Sequence, residues 1–324
     1  MRTIELNTES WEMIVPFKIT GHVFTRAQLL HVRITQDGVT GQGESIGIYY
    51  LNENEDSILA EAQKVKQAIE QGLDREQLRE LLPRGGARNA IDCALWDLEA
   101  KLQGKSIWEL TGIEPRETIT VNTVGIGTPA EMAAAAERLD TSRIKVKLDG
   151  EQVLERISAV RNARPDAEIV VDVNQGWTIE QLKEFAPKLK ELGVAMIEQP
   201  LPRGGDQALE GYQSPVPLCA DESCLDTSEF EQAARRYQMI NIKLDKTGGL
   251  TEALKLARMA QEKGIGLMVG NMMGTSLAMA PGYVIAQLCR FVDLDGALFL
   301  KRDRDNAMAF SAGVISAPST ELWG

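Results

Sequence analysis

The sequence predicts an α/β protein, a (β/α) barrel of modified TIM-barrel type behind an N-terminal α+β capping domain. Two observations carry this. Beyond residue 115, eight short β-rich runs follow one another about every 25 residues, each separated from the next by a helix-forming stretch. The first 115 residues keep a different rhythm, β-like and then helical. An open doubly wound sheet, the competing arrangement, usually shows a Gly-rich phosphate turn after its first strand, and none is present.

Taken in order, residues 3–6 and 27–35 alternate as strands do and are joined by Gly-rich turns such as Gly41-Gln42-Gly43-Glu44. Glu44 and Ser45 are read as part of a mobile capping loop. From residue 56 to 104 apolar residues recur three and four apart, and residues 87–101 form a strongly amphipathic helix. The capping domain is therefore assigned to residues 1–115. The barrel strands are expected at 118–124, 144–148, 168–173, 194–198, 217–221, 239–244, 266–269 and 291–294, giving a catalytic domain over residues 116–299. Ala-, Glu-, Lys- and Leu-rich stretches such as 131–139 and 251–263 supply the helices. Residues 300–324 make no ninth unit and are expected to run back onto the capping domain.

Composition removes several function classes. With 324 residues, 44% of them hydrophobic and 25% charged, the chain has the profile of an ordinary globular protein. A net charge of −12 sets it against nucleic acid. No apolar run approaches the roughly 20 residues that span a bilayer. The N-terminus lacks the basic-then-apolar pattern of a secretory leader. No two of Cys93, Cys219, Cys224 and Cys289 form a CxxC pair, which fits inert thiols in a reducing cytoplasm. Only His22 and His31 are present, so a His-rich zinc site is excluded and a Ser-His-Asp triad is not expected. Acid–base chemistry falls to Lys, Asp and Glu.

Those residues stand where barrel strands should be greasy. Strand C-terminal ends, where barrel active sites lie, read Lys145-Val146-Lys147, Asp172-Val173-Asn174, Glu198-Gln199-Pro200, Asp221-Glu222, Asn241-Ile242-Lys243-Leu244-Asp245 and Asp293-Leu294-Asp295. Each buried charge costs several kcal/mol, on the order of 3–5, unless it is paired or binds metal. Side chains alternate along a strand, so Lys145 and Lys147 share a face. Strands 2 and 6 of eight lie opposite each other, which sets Lys147 against Lys243 across the mouth. Between them strands 3, 4 and 5 offer Asp172, Glu198 and Asp221. Three converging carboxylates call for a hard cation, and an all-oxygen set suits Mg²⁺. A substrate carboxylate on that cation would hold its α-carbon between the lysines, with the metal neutralising the enediolate formed when the α-proton leaves. Lys145 and the cation would lower the pKa of Lys147 toward a neutral base. Two bases on opposite faces invert the carbon.

These residues resemble the enolase superfamily, in its muconate-lactonising subgroup, over essentially the whole chain. The resemblance rests on the Lys145/Lys147 pair, the Asp172, Glu198 and Asp221 set, Ala220-Asp221-Glu222-Ser223, Asn241-Ile242-Lys243 with Lys246-Thr247-Gly248-Gly249, and the capping helix around Ala94-Leu95-Trp96-Asp97. It implies that Lys147 and Lys243 are the acid/base pair, that one Mg²⁺ per subunit sits on the three acids, and that Lys145, Asn174 and Glu222 support them. A capping loop over residues 16–26 would close over the substrate.

The same lysines serve cycloisomerases, o-succinylbenzoate synthases, N-acylamino acid racemases and dipeptide epimerases. Asp293 and Asp295 resemble the aspartates with which dipeptide epimerases hold the substrate ammonium, and the overall sequence is similar to the L-Ala-D/L-Glu group. The implied partner is a small dipeptide, in the setting of peptidoglycan-peptide salvage. The alternatives are an N-acylamino acid racemase or an o-succinylbenzoate synthase. Thr123, Phe24 and Arg26 complete the expected substrate contacts. Phe24 stands where members acting on Ala-Glu carry a basic residue. Lys18, His22 and Arg26 are the nearby cations that could replace it, and without one the second residue would be apolar. The oligomeric state is open, a homo-oligomer included.

Overall fold

The computed structural model describes residues 1–19 and 22–324, and the side chains of residues 17–23 are not described. Three long strands open the chain: β1 (Arg2–Ile19), β2 (His22–Gln36) and β3 (Val39–Ile46), an antiparallel sheet in the order β1-β2-β3. Asp37 and Gly38 turn β2 into β3 with φ of 53° and 81°, the positive pair that a tight two-residue hairpin needs. Pairing between β1 and β2 resumes after an irregularity between Glu12 and Phe17, with Phe17 opposite Phe24. The expected capping loop over residues 16–26 is therefore largely the arm of a hairpin. Thr20 and Gly21 lie outside the described residues.

The Gly41–Glu44 segment is strand, not turn. It belongs to β3, and its glycines face the helix Gly86–Gln103. A Cβ on Gly43 would lie 2.2 Å from the Ala90 carbonyl oxygen, and one on Gly41 would lie 2.3 Å from Leu98 N. Backbone stands against backbone, so neither neighbour can give way. We expect Gly43→Ala to cost about 1–3 kcal/mol, the usual penalty of overpacking. A lowered urea midpoint at unchanged slope checks it.

The helix Gly86–Gln103 reads as amphipathic but is buried almost all round. The sheet covers its apolar face, while the barrel covers its polar one. Arg88 donates to the carbonyls of Thr247 (2.6 Å) and Gly248 (3.1 Å), and Asp92 accepts from Thr251 N (2.9 Å) and Oγ1 (2.6 Å). Its polar residues are thus interface residues, satisfied across the junction.

The barrel consists of β5 (Asn122–Val124), β6 (Arg143–Lys147), β7 (Glu168–Asp172), β8 (Val194–Glu198), β9 (Leu218–Ala220), β10 (Met239–Lys243), β11 (Gly266–Gly270) and β12 (Phe291–Val292). Neighbours in this order are hydrogen-bonded and parallel. Val121 N donates to the Val292 carbonyl (2.8 Å) and closes the ring. The run expected as one strand over 118–124 is split: Thr120 N instead donates to Gly313 O (2.8 Å). Because the donor changes partner there, β4 (Thr118–Ile119) pairs with β14 (Val314–Ile315), itself paired with β13 (Phe310–Ser311). Val121, Val170, Met196, Cys219, Met239, Met268 and Phe291 plug the barrel interior.

The C-terminal segment crosses back to the first domain. Lys301 N donates to the Glu12 carbonyl (2.9 Å), Trp323 Nε1 to Cys93 O (3.0 Å) and Gly324 N to Asp97 Oδ1 (2.8 Å). Among the described residues no helix is long and apolar enough to cross a membrane.

Candidate active site

The strand ends deliver their charged residues to one cavity, with about 810 Å³ of open space, at the C-terminal mouth of the barrel beneath the capping sheet. Lys145, Lys147, Asn174, Asp221, Glu222, Lys243, Asp293, Asp295 and Thr123 line it, and Phe24 reaches in from β2. In the closed ring β6 and β10 are separated by three strands either way round, so Lys147 and Lys243 stand on opposite walls.

Ammonium groups join the carboxylates to one another. Lys147 Nζ lies 2.6 Å from Asp172 Oδ2 and 3.0 Å from Asn174 Oδ1. Lys145 Nζ reaches Asp172 (3.0 Å), Glu198 (2.8 Å) and Asp293 (2.7 Å). Lys243 Nζ lies 2.6 Å and Lys246 Nζ 2.7 Å from Asp221. Asn241 Nδ2 donates to Glu198 Oε1 at 2.6 Å, while Glu198 Oε2 makes no well-directed hydrogen bond among the described residues. Among those residues no three acids are drawn to a common metal-holding point; lysines stand between them.

Burial and charge pull against each other here. Asp172 is fully buried, yet Lys145 and Lys147 hold its carboxyl well below the usual range. Asp221 behaves likewise against burial, through Lys243 and Lys246. Burial disfavours charge on Lys243, but Asp221 and Glu198 outweigh it and hold the ammonium well above its ordinary value. Burial, then the neighbouring charge of Asp221, pushes Glu222 up to about 8. Asp295 is likewise raised to about 8, by burial and then by Asp293.

Asp293 and Asp295 are not isolated from the acid cluster, because Lys145 bridges Asp293 to Asp172 and Glu198. Asp295 bonds the Thr123 hydroxyl. Asn271 donates its side-chain amide to the Asp293 carbonyl.

Three expectations are corrected. Arg26 does not line the cavity: it is exposed on β2 and donates to Ser10 Oγ (2.6 Å) and Glu12 Oε1 (3.2 Å). The side chains of Lys18 and His22, the other candidate cations, lie outside the described residues. Asp245 turns away from the mouth and accepts from Ser45 Oγ (2.6 Å) and Asn89 (3.2 Å), tying cap to barrel. Glu44 and Ser45 are buried strand residues, not a loop, and Glu44 accepts from Thr275 N (2.8 Å) and Oγ1 (2.7 Å).

Sequence reasoning missed Tyr49, Tyr50 and Phe299, which wall the cavity. Tyr50 Oη is buried without a hydrogen-bond partner among the described residues. The only available signal was an aromatic pair just past the last cap strand.

Residues 129–320 match the family described as enolase C-terminal domain-like, and residues 1–112 match the mandelate racemase/muconate lactonizing enzyme N-terminal domain. The chain belongs to the enolase superfamily. Within this superfamily it is 44% identical over 319 residues to the L-Ala-D/L-Glu epimerase of Escherichia coli, covering 97% of this chain and 99% of the relative. It is 43% identical over 253 residues to an N-acetyl-D-glutamate racemase of a Pseudoalteromonas species, covering 78% and 80%. Among solved structures, an enolase family member from Agrobacterium tumefaciens with homology to dipeptide epimerases, holding sodium and L-Ala-L-Glu, superposes with a TM-score of 0.95 at 37% identity over 100% of both chains. A dipeptide epimerase from Enterococcus faecalis complexed with Mg and L-Leu-L-Tyr superposes with 0.92 at 26% identity, over 99% of this chain and 98% of that one. Relatives named epimerases and racemases make this superfamily member an isomerase.

Proposed function

We propose that this chain is a Mg²⁺-dependent dipeptide epimerase that inverts the α-carbon of the C-terminal residue of L-Ala-D/L-Glu or a related L-Ala-Xaa dipeptide. One observation carries the reading: a single cavity holds two lysines on opposite walls and a pair of aspartates beside them. The dipeptides held by the Agrobacterium and Enterococcus proteins support it.

The residues present fit a divalent cation. Asp172, Glu198 and Asp221 are three buried carboxylates at the ends of neighbouring strands, and Glu198 Oε2, 2.8 Å from the Lys145 ammonium, makes no well-directed hydrogen bond among the described residues. Hard oxygen donors suit Mg²⁺, and Asp172, Glu198 and Asp221 would hold one ion per subunit. When bound, it would offset the negative charge that develops on the substrate carboxylate. With Asp221 holding an ion, Lys243 would lose its partner, and burial would then favour its neutral form. Lys147 and Lys243 alternate as base and acid on the two faces of the α-carbon. Lys145 orients Asp172 and Glu198, while Asn174 steadies Lys147 and donates its backbone N–H to Asp172 Oδ1 (3.0 Å).

The N-terminal ammonium is assigned to Asp295 with Asp293 behind it, since Asp293 already shares its charge with Lys145. Below about pH 8 Asp295 is largely neutral, and an ammonium draws it toward its ionised form. Dipeptide KM should therefore fall as pH rises toward 8, and Asp295→Asn should flatten that slope and raise KM about 10–100-fold. Steady-state kinetics from pH 6 to 8.5 check it. A racemase acting on N-acylamino acids, the reading favoured by the Pseudoalteromonas relative, needs no ammonium site. Unchanged dipeptide kinetics in Asp295→Asn, with turnover of N-acetylglutamate, would establish that alternative.

A further inference from the structure

We propose, resting on the epimerase reading, that the subsite for the inverted residue's side chain takes an apolar group, aliphatic or aromatic, in preference to an anionic one. An aromatic row leads from the cap into the cavity. Phe24 meets Tyr49 with ring centroids 6.1 Å apart at 59°, and Tyr49 meets Tyr50 edge-on at 5.1 Å and 83°. The inner end of this row lies in the field of Lys243, Asp221 and Glu222. Asp293 and Asp295, which follow β12, stand with Lys145 and Thr123 three strands round the ring from Asp221 and Glu222, which follow β9. A dipeptide with its ammonium at Asp295 and its α-carbon between the lysines directs its second side chain toward the row. Met272 and Phe299 line the same cavity and pack on the apolar core under the capping sheet.

Charge agrees with shape. Lys145, Lys147 and Lys243 are each bonded to a carboxylate, and Arg26 is turned out to Ser10 and Glu12. The described lining residues include no arginine, and Glu222 adds an acid at the aromatic end. A carboxylate side chain would leave water and meet no unpaired cation among the described lining residues, whereas an isobutyl or benzyl group would pack on the rings at no such cost.

The test is α-deuterium exchange in D₂O with Mg²⁺, comparing L-Ala-L-Leu, L-Ala-L-Phe, L-Ala-L-Glu and L-Ala-L-Lys with wild type and Phe24→Arg. The leucine or phenylalanine dipeptide should exceed the glutamate one by on the order of 10²-fold in kcat/KM, and Phe24→Arg should narrow that gap at least about tenfold. A glutamate or lysine dipeptide that exchanges fastest in wild type overturns the apolar subsite while leaving the epimerase intact. Exchange of none of the four removes both.

Discussion

Lys147→Ala and Lys243→Ala should each lower epimerisation by about 10³-fold or more, within the range that a positioned proton-transfer group supplies. The expectation follows from their placement on opposite walls, with Lys147 against Asp172 and Asn174 and Lys243 against Asp221. A two-base site makes a sharper demand than loss of rate. Each variant keeps one lysine, so each can exchange the α-proton of only the stereoisomer that presents it to the surviving side. The two variants should retain opposite isomers. Removing a buried ammonium also leaves a carboxylate short of a partner, so circular dichroism of both variants must accompany the kinetics. A variant that epimerises at the wild-type rate would mean that its lysine is only structural.

Chelation should have an effect of similar size. With EDTA, turnover should drop by about 10³-fold or more and return on adding Mg²⁺, because the substrate's developing charge loses its counter-ion. A readout independent of turnover is available. At a hundredfold excess over its dissociation constant, an ion bound to the native state alone adds about 2.7 kcal/mol of stability. Mg²⁺ should therefore raise the melting temperature of the wild type and leave Asp221→Asn nearly unmoved. Asp221→Asn also takes the shared carboxylate from the buried Lys243 and Lys246, so the melting temperature of the variant without Mg²⁺ is the reference against which its Mg²⁺ shift is read.

The charged cluster at the barrel mouth was legible because burial makes charges conspicuous. Lys145, Asp172 and Glu198 are at most 2% exposed, and nothing but mutual pairing or a cation justifies ionisable groups at the ends of apolar strands. The eight-unit rhythm then gave their arrangement, since strand order alone puts β6 opposite β10. What failed to show was whatever depends on which way a residue faces. Arg26 and Phe24, two apart on β2, share a face by alternation, and pattern alone does not show the irregularity between Glu12 and Phe17 that falls between their partners on β1. Gly41 and Gly43 read as a turn because the reason for them, the backbone of the helix Gly86–Gln103 pressed against β3, lies some 50 residues away in sequence. Tyr49 and Tyr50 carry no sign that separates a cavity wall from a core. Asp245 looked like its neighbour Lys243, but helix Leu244–Thr247 begins straight after the strand and carries it round to Ser45 and Asn89.

This cavity is expected to remove and return a proton next to a dipeptide carboxylate. The most direct measurement is proton NMR of L-Ala-Xaa dipeptides in D₂O with wild-type enzyme and Mg²⁺. The α-proton signal of the C-terminal residue should disappear, the alanine α-proton should persist, and the diastereomer should grow in carrying deuterium at the inverted carbon. Persistence of both α-protons across the dipeptides, under conditions where an N-acylamino acid exchanges, would contradict the account.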